Sequence, residues 1–101
     1  SHYAPEAELI LYEELPAMRK EVKALREKGK QVVVLAFEED AVQGDYTLGS
    51  RADLSGMAHA LFRHLRRADE AQADRIYAPV VPAKGWGLAI MNRLEKARSR
   101  V

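Results

Sequence analysis

Two apolar stretches flank one amphipathic stretch in the first third of the chain, and that order leaves few folds open. From Ala7 to Tyr12 the run Ala-Glu-Leu-Ile-Leu-Tyr is short, apolar and bounded by charge and proline, which predicts a buried strand. From Glu13 to Lys28 the period changes. Leu15, Met18, Val22 and Leu25 recur at intervals of three and four, Pro16 suits a first helical turn, and Gly29 stands where a left-handed cap is wanted. Gln31 to Phe37 then carries valines, leucine, alanine and phenylalanine in unbroken succession, the pattern of a strand covered on both faces. A strand, a helix and a strand with so short a return place the two strands parallel, joined by a right-handed crossover.

The remainder continues the alternation. The segment Glu38-Glu39-Asp40 with Gln43-Gly44-Asp45 predicts a loop, and Tyr46-Thr47-Leu48 a short edge strand. Leu54, Met57, Ala58, Leu61, Phe62 and Leu65 form one helical stripe, so a second helix is expected from about Ala52 to Arg67. It ends in Arg63, His64, Arg66 and Arg67, cations suited to the negative end of the helix dipole at about 0.3 to 1 kcal/mol each. Arg75 to Ala78 predicts a third principal strand, stopped by Pro79 and Pro82, and a last helix starts near Gly87. The expected fold class is α/β: a three-layer, Rossmann-like sandwich with a small, mostly parallel sheet and about three helices.

The 101 residues suffice for one domain, burying roughly two thirds of the unfolded surface. With 48% hydrophobic and 31% charged residues, the composition is that of a globular protein. The formal net charge is +1, from 16 basic against 15 acidic residues, so nothing demands an acidic partner and no direct nucleic-acid binding is expected. Cysteine is absent, which excludes disulfides, thiolate zinc sites and a cysteine nucleophile and fits a reducing compartment. No apolar run reaches the roughly 20 residues of a membrane span, and no signal-peptide order opens the chain, so a cytoplasmic location and no membrane partner are expected.

Few residue groups suggest chemistry. Lys84-Gly85-Trp86-Gly87 follows a strand and opens a helix, where backbone amides and the helix dipole can hold phosphate. The other reading of Lys84, Gly85 and Gly87 is a tight structural turn, since a dinucleotide fingerprint wants a third glycine and an early strand-helix unit. His59, Arg63, Arg66 and Arg67 lie on the polar side of the second helix and could meet a phosphate backbone, or form a solvated end. His59 and His64 do not share a face well enough to chelate a metal, and Ser50 and Ser55 suit a helix start better than catalysis. Glu38, Glu39 and Asp40 could bind a cation or be merely solvated. Asn92 and Arg93 in the last helix are polar residues that pin the helix to the sheet or serve an interface. No catalytic set and no metal site is expected.

The two ends are the distinctive parts. The opening Ser1-His2-Tyr3-Ala4-Pro5 cannot sit inside a regular element, because Pro5 drives Ala4 towards extended geometry and lacks a donor, so the chain starts as a strap. That His2-Tyr3-Ala4-Pro5 opening, the segment Ala60-Leu61-Phe62 continuing to Leu65-Arg66 and Asp69, and the closing Gly85-x-Gly87-x-Ala89-Ile90-x-Asn92-Arg93-Leu94 together resemble the C-terminal, Rossmann-like domain of long-form threonylcarbamoyl-AMP synthases, the YrdC-like family of tRNA modification.

The resemblance implies an accessory domain over residues 7–101, with residues 1–6 a remnant of an inter-domain linker. It implies that His2, Tyr3 and Pro5 belong to a linker lying across the mouth of a catalytic site, Tyr3 closing over substrate and His2 and Pro5 shaping the strap. The partner so implied is an N-terminal YrdC-like catalytic domain of the same chain. That domain joins ATP, threonine and bicarbonate into threonylcarbamoyl-AMP; ATP and Mg are implied there, and no cofactor in the present residues. The family normally carries a basic, aromatic stretch before His2, so a start at Ser1 suggests a cut, and the fragment alone is expected to lack catalytic activity. Two alternatives stand beside it: a small nucleotide-binding regulatory domain using Lys84 to Gly87 and the strand ends, and a free-standing interaction module pairing through its edge strand.

Overall fold

The computed structural model describes residues 4–98. Its elements are β1 (Glu8–Tyr12), α1 (Leu15–Glu27), β2 (Val32–Ala36), β3 (Tyr46–Thr47), a 3₁₀ turn (Leu54–Gly56), α2 (Met57–Glu70), β4 (Arg75–Pro79) and α3 (Trp86–Arg98). The four strands form one parallel sheet in the order β1-β4-β2-β3. The last strand in sequence is therefore inserted between the first two. Ile76, Tyr77 and Ala78 of β4 are almost fully buried, as a strand paired on both edges and covered on both faces requires.

Side-chain alternation along each strand sorts the core into two halves. Val32, Val34, Ala36 and Tyr77 face α1, which answers with Met18 and Val22. Leu9, Leu35, Ile76 and Ala78 point the other way, onto Leu61, Leu65 and Ala68 of α2 and Ile90, Leu94 and Ala97 of α3. This is the expected three-layer α/β sandwich: one helix on one face of a parallel sheet, two on the other. Each fully buried aliphatic side chain contributes about 1.5 to 3 kcal/mol.

Local chemistry sets the ends of the elements. Pro16 occupies the first turn of α1, and Gly29 after that helix adopts φ +87°, the left-handed region that a β-carbon disfavours. The Asp74 carboxylate accepts the Gln31 N–H at 2.7 Å while the Gln31 carbonyl accepts the Asp74 N–H at 2.8 Å, which fixes where β2 and β4 begin. Across the β1–β4 pair, Glu8 stands opposite Arg75, and their side chains form an ion pair at 3.1 Å.

Four expectations need correction. β1 is an edge strand, so only Leu9 within it is buried, while Ile10, Leu11 and Tyr12 are half-buried. α2 starts at Met57 rather than Ala52, because the Asp53 carboxylate captures the Ser55 N–H and hydroxyl and a 3₁₀ turn intervenes; it then runs on to Glu70. The cap at this point is thus Asp53, not Ser50 or Ser55. His64 is not an exposed cation: it is 6% exposed, its Nε2 lies 2.8 Å from the Thr47 carbonyl, and only Arg67 among the four basic residues lies in the last turn.

Candidate functional site

The chain enters β1 along a fixed path. Pro5 is among the fully buried side chains, Ala7 is buried in the core, and between them the Glu6 N–H donates to both carboxylate oxygens of Asp69 at 3.2 Å each. The Glu8 N–H then donates to the Asp74 carbonyl at 3.1 Å. Asp69 lies in the last turn of α2 and Asp74 just ahead of β4, so both anchors belong to the edge of the sheet where the parallel strands begin. His2 and Tyr3 fall outside the described residues; Pro5 is the one member of that group within them.

The opposite edge, where the strands end, has a crevice between β1 and β4. The chain leaves β1 for α1 on one face and leaves β4 for α3 on the other, the topological switch point at which open α/β sheets commonly bind ligands. A cavity of about 220 Å³ lies here, lined in part by Tyr12, Phe37, Asp40, Arg51 and Val80. It falls short of the roughly 300 Å³ at which small-molecule sites begin. Three of its polar groups are engaged. The Arg51 guanidinium pairs with Asp40 and lies 5.2 Å from the Phe37 ring centroid, and the Tyr12 hydroxyl donates to the Leu35 carbonyl at 2.9 Å. Burial, above all, pushes the Tyr12 hydroxyl up to about 12, so it stays protonated.

The neighbouring acids are structural as well. Glu39 accepts the Ser50 hydroxyl at 2.6 Å and the Arg51 N–H at 2.9 Å, and these bonds hold its carboxyl below the usual range. Arg19 grips the buried Asp45 carboxylate with two nitrogens, at 3.1 and 2.7 Å. Among the described residues no group of three or more metal-ligating side chains comes together.

Lys84, Gly85 and Gly87 form the turn into α3. Gly85 has φ +58°, the Gly87 N–H donates to the Lys84 carbonyl at 3.0 Å, and the Leu88 N–H donates to the Gly85 carbonyl at 3.1 Å. A β-carbon on Gly87 would lie 1.8 Å from the Pro82 carbonyl oxygen. Two amides at this helix start are thus committed internally, and Gly87 sits where the backbone approaches too closely for any side chain. Asn92 and Arg93 are exposed on α3, and the Arg93 guanidinium lies 4.8 Å from the Phe62 ring centroid, joining α3 to α2 rather than to the sheet.

Sequence reasoning missed the Asp69 anchor, the Arg19–Asp45 pair and the Glu39–Ser50 link. Each joins residues 11 or more apart, and no local pattern announces it. His64 did leave a signal, since it stands one heptad after the buried Met57 and three residues after the buried Leu61.

Fold and site together define a doubly wound parallel α/β domain in which Glu39, Asp40 and Asp45 at the strand ends are held by its own loops and helix and whose N-terminal strap is clamped. The chain belongs to the threonylcarbamoyl-AMP synthase C-terminal domain family, whose family model matches residues 1–99. The threonylcarbamoyl-AMP synthase of Bacillus subtilis is 41% identical over 102 residues, covering 96% of this chain and 30% of that protein. A Sua5 protein of Pyrococcus abyssi, solved with a neighbouring histidine and tyrosine both changed to alanine, superposes with a TM-score of 0.74 at 35% identity, over 93% of this chain and 28% of that one. The C-terminal Sua5 domain of Pyrococcus horikoshii superposes with a TM-score of 0.71 at 37% identity, over 91% of this chain and 93% of that one. The chain thus spans about 30% of the Bacillus relative's length.

Proposed function

We propose that this chain acts as the accessory domain of a threonylcarbamoyl-AMP synthase, anchoring the linker that gates a catalytic domain in the remainder of such a protein. The clamped strap carries the reading: Pro5 is buried and the Glu6 N–H is held on Asp69, so whatever precedes Ala4 leaves a rigid body at a fixed point. His2 and Tyr3 come next in sequence. They are the one adjacent His-Tyr pair in the sequence, and the same two residue types, side by side, are those replaced by alanine in the Pyrococcus abyssi protein. In this role Tyr3 closes over substrate while His2 and Pro5 shape the strap. ATP, Mg, threonine and bicarbonate are handled by an N-terminal YrdC-like domain in the cytoplasm, and no bond is made or broken here.

The test is made in a synthase that carries this domain as its C-terminal part. Threonine- and bicarbonate-dependent release of pyrophosphate from ATP is measured together with escape of the labile adenylate, for the intact chain, for Tyr3→Ala and after deletion of residues 7–101. The expected result is weaker substrate affinity or greater escape in both altered proteins, and no pyrophosphate release by the 101-residue chain alone. Unchanged synthesis, affinity and escape in both would refute the assignment.

A further inference from the structure

The nine arginines among the described residues divide into two groups. Five have an oxygen partner: Arg19 on Asp45, Arg26 on the Val32 carbonyl, Arg51 on Asp40, Arg75 on Glu8 and Arg98 on Glu95. The other four, Arg63, Arg66, Arg67 and Arg93, make no hydrogen bond or ion pair with any described residue. All four lie in one layer, three on α2 and one on α3 beside it. Arg63 and Arg67 are one helical turn apart, with Cβ atoms about 5 to 6 Å from each other, and Arg66 stands on the same outer side.

Two of these guanidiniums are seated on aromatic rings. Arg67 lies 4.0 Å from the Tyr46 ring centroid, and Arg93 lies 4.8 Å from that of Phe62. A ring face attracts a cation and limits its rotamers while leaving its N–H edges free to donate. The nearly neutral total of the chain conceals this patch. Of the acids that offset it in the sum, Glu39, Asp40 and Asp45 sit in loops beyond β2 and are tied to Ser50, Arg51 and Arg19, while Asp69 and Glu70 at the end of α2 leave the four arginines in excess.

We propose that the α2–α3 arginine face binds the phosphodiester backbone of single-stranded RNA. Planar guanidinium forks match pairs of phosphate oxygens, and charge complementarity selects a polyanion. Arginine interleaved with aromatic rings is the surface that takes single strands, whose unpaired bases can stack on guanidinium planes. Duplex DNA offers no such base faces, and an acidic peptide offers none at all.

The test titrates the 101-residue chain into a fluorescent single-stranded RNA of about 12 nucleotides, a length within the range one small domain covers, at several salt concentrations. Each contacted phosphate contributes about −0.7 to the slope of log affinity against log salt, so a slope near −3 is expected. The Arg63→Ala, Arg66→Ala double variant should flatten it by about half, with an unchanged thermal melt because both side chains are exposed. Lys20→Ala with Lys23→Ala, on the exposed side of α1, removes the same charge from the opposite layer and should leave the slope unchanged. Absence of binding at low salt overturns the proposal. So does equal flattening by the α1 pair, or equal affinity for duplex DNA or polyglutamate.

Discussion

Gly87→Ala pits two physical effects against each other, and the structure decides the sign. Gly87 is the second residue of α3, where alanine is ordinarily the better helix former by about 0.5 to 1 kcal/mol. The added β-carbon, however, would stand 1.8 Å from the Pro82 carbonyl oxygen and 3.0 Å from the carbonyl carbon. Helix and strand exit must then part by more than about 1 Å, and the obstacle is backbone, which cannot swing aside as a side chain does. Overpacking costs about 1 to 3 kcal/mol, and a backbone obstacle belongs at the upper end, so the net loss is about 2 kcal/mol. For a domain of this size that lowers Tm by about 8 to 16 °C. Gly56→Ala is the matched control: its φ is −87°, nothing lies within 4 Å of the added carbon, and a gain of about 0.4 to 1 kcal/mol is expected. Urea denaturation followed by far-ultraviolet circular dichroism measures both. A glycine kept only to let phosphate reach the helix start would give stabilisation at both positions. A Gly87→Ala protein as stable as the parent would refute the close-approach account.

Three further outcomes follow from buried or anchoring groups. Burial, more than the neighbouring Arg63 and Arg67, lowers the pKa of His64 against the opposing pull of the Thr47 carbonyl, so the folded state binds the imidazole proton more weakly than the unfolded chain. The His64 contribution is complete above the ordinary value of about 6.5 and is lost as pH falls through it toward the lower folded value, a dependence His64→Phe should abolish in pH-dependent denaturation. Arg19→Met leaves the Asp45 carboxylate, 1% exposed, without its cation; a loss of about 2 kcal/mol is expected, discounted because Arg19 is a quarter exposed, and adding Asp45→Asn should restore part of it. Asp69→Ala should speed hydrogen exchange at the Glu6 amide about fivefold, the equivalent of about 1 kcal/mol of hydrogen bonding, while exchange at Ile76 in the central strand stays unchanged.

Periodicity made the elements legible, and pairing did not. Met18 and Val22 on one stripe of α1, or Leu61 and Leu65 on one stripe of α2, declare a buried face within a single turn or two, and the unbroken run from Val32 to Ala36 declares a strand covered on both sides. The insertion of β4 between β1 and β2 leaves no such mark, because it rests on contacts such as Tyr77 beside Ile10 and Val34, far apart in sequence. Burial of β1 was overestimated for the same reason: its composition suits an interior strand, and only the strand order makes it an edge. The start of α2 was misjudged where a single side chain, Asp53, outweighs the apolar stripe.

The candidate sites divide along the same line. Residues at the strand ends look available in the sequence because no basic residue stands beside Glu38, Glu39, Asp40 or Asp45. Folding brings Arg19 across 26 positions to Asp45 and Arg51 across 11 to Asp40, and the edge where α/β domains usually bind ligands becomes a set of closed loops. Whether a charged group is free for a partner depends on which distant segment returns to meet it, and composition cannot report that. Among the described residues no acid forms an ion pair with Arg63, Arg66 or Arg67 on α2. Among the described residues the clamped strap lies at one edge of the sheet and the arginines without an oxygen partner lie on the two-helix layer, both away from the strand ends where domains of this architecture commonly bind ligands.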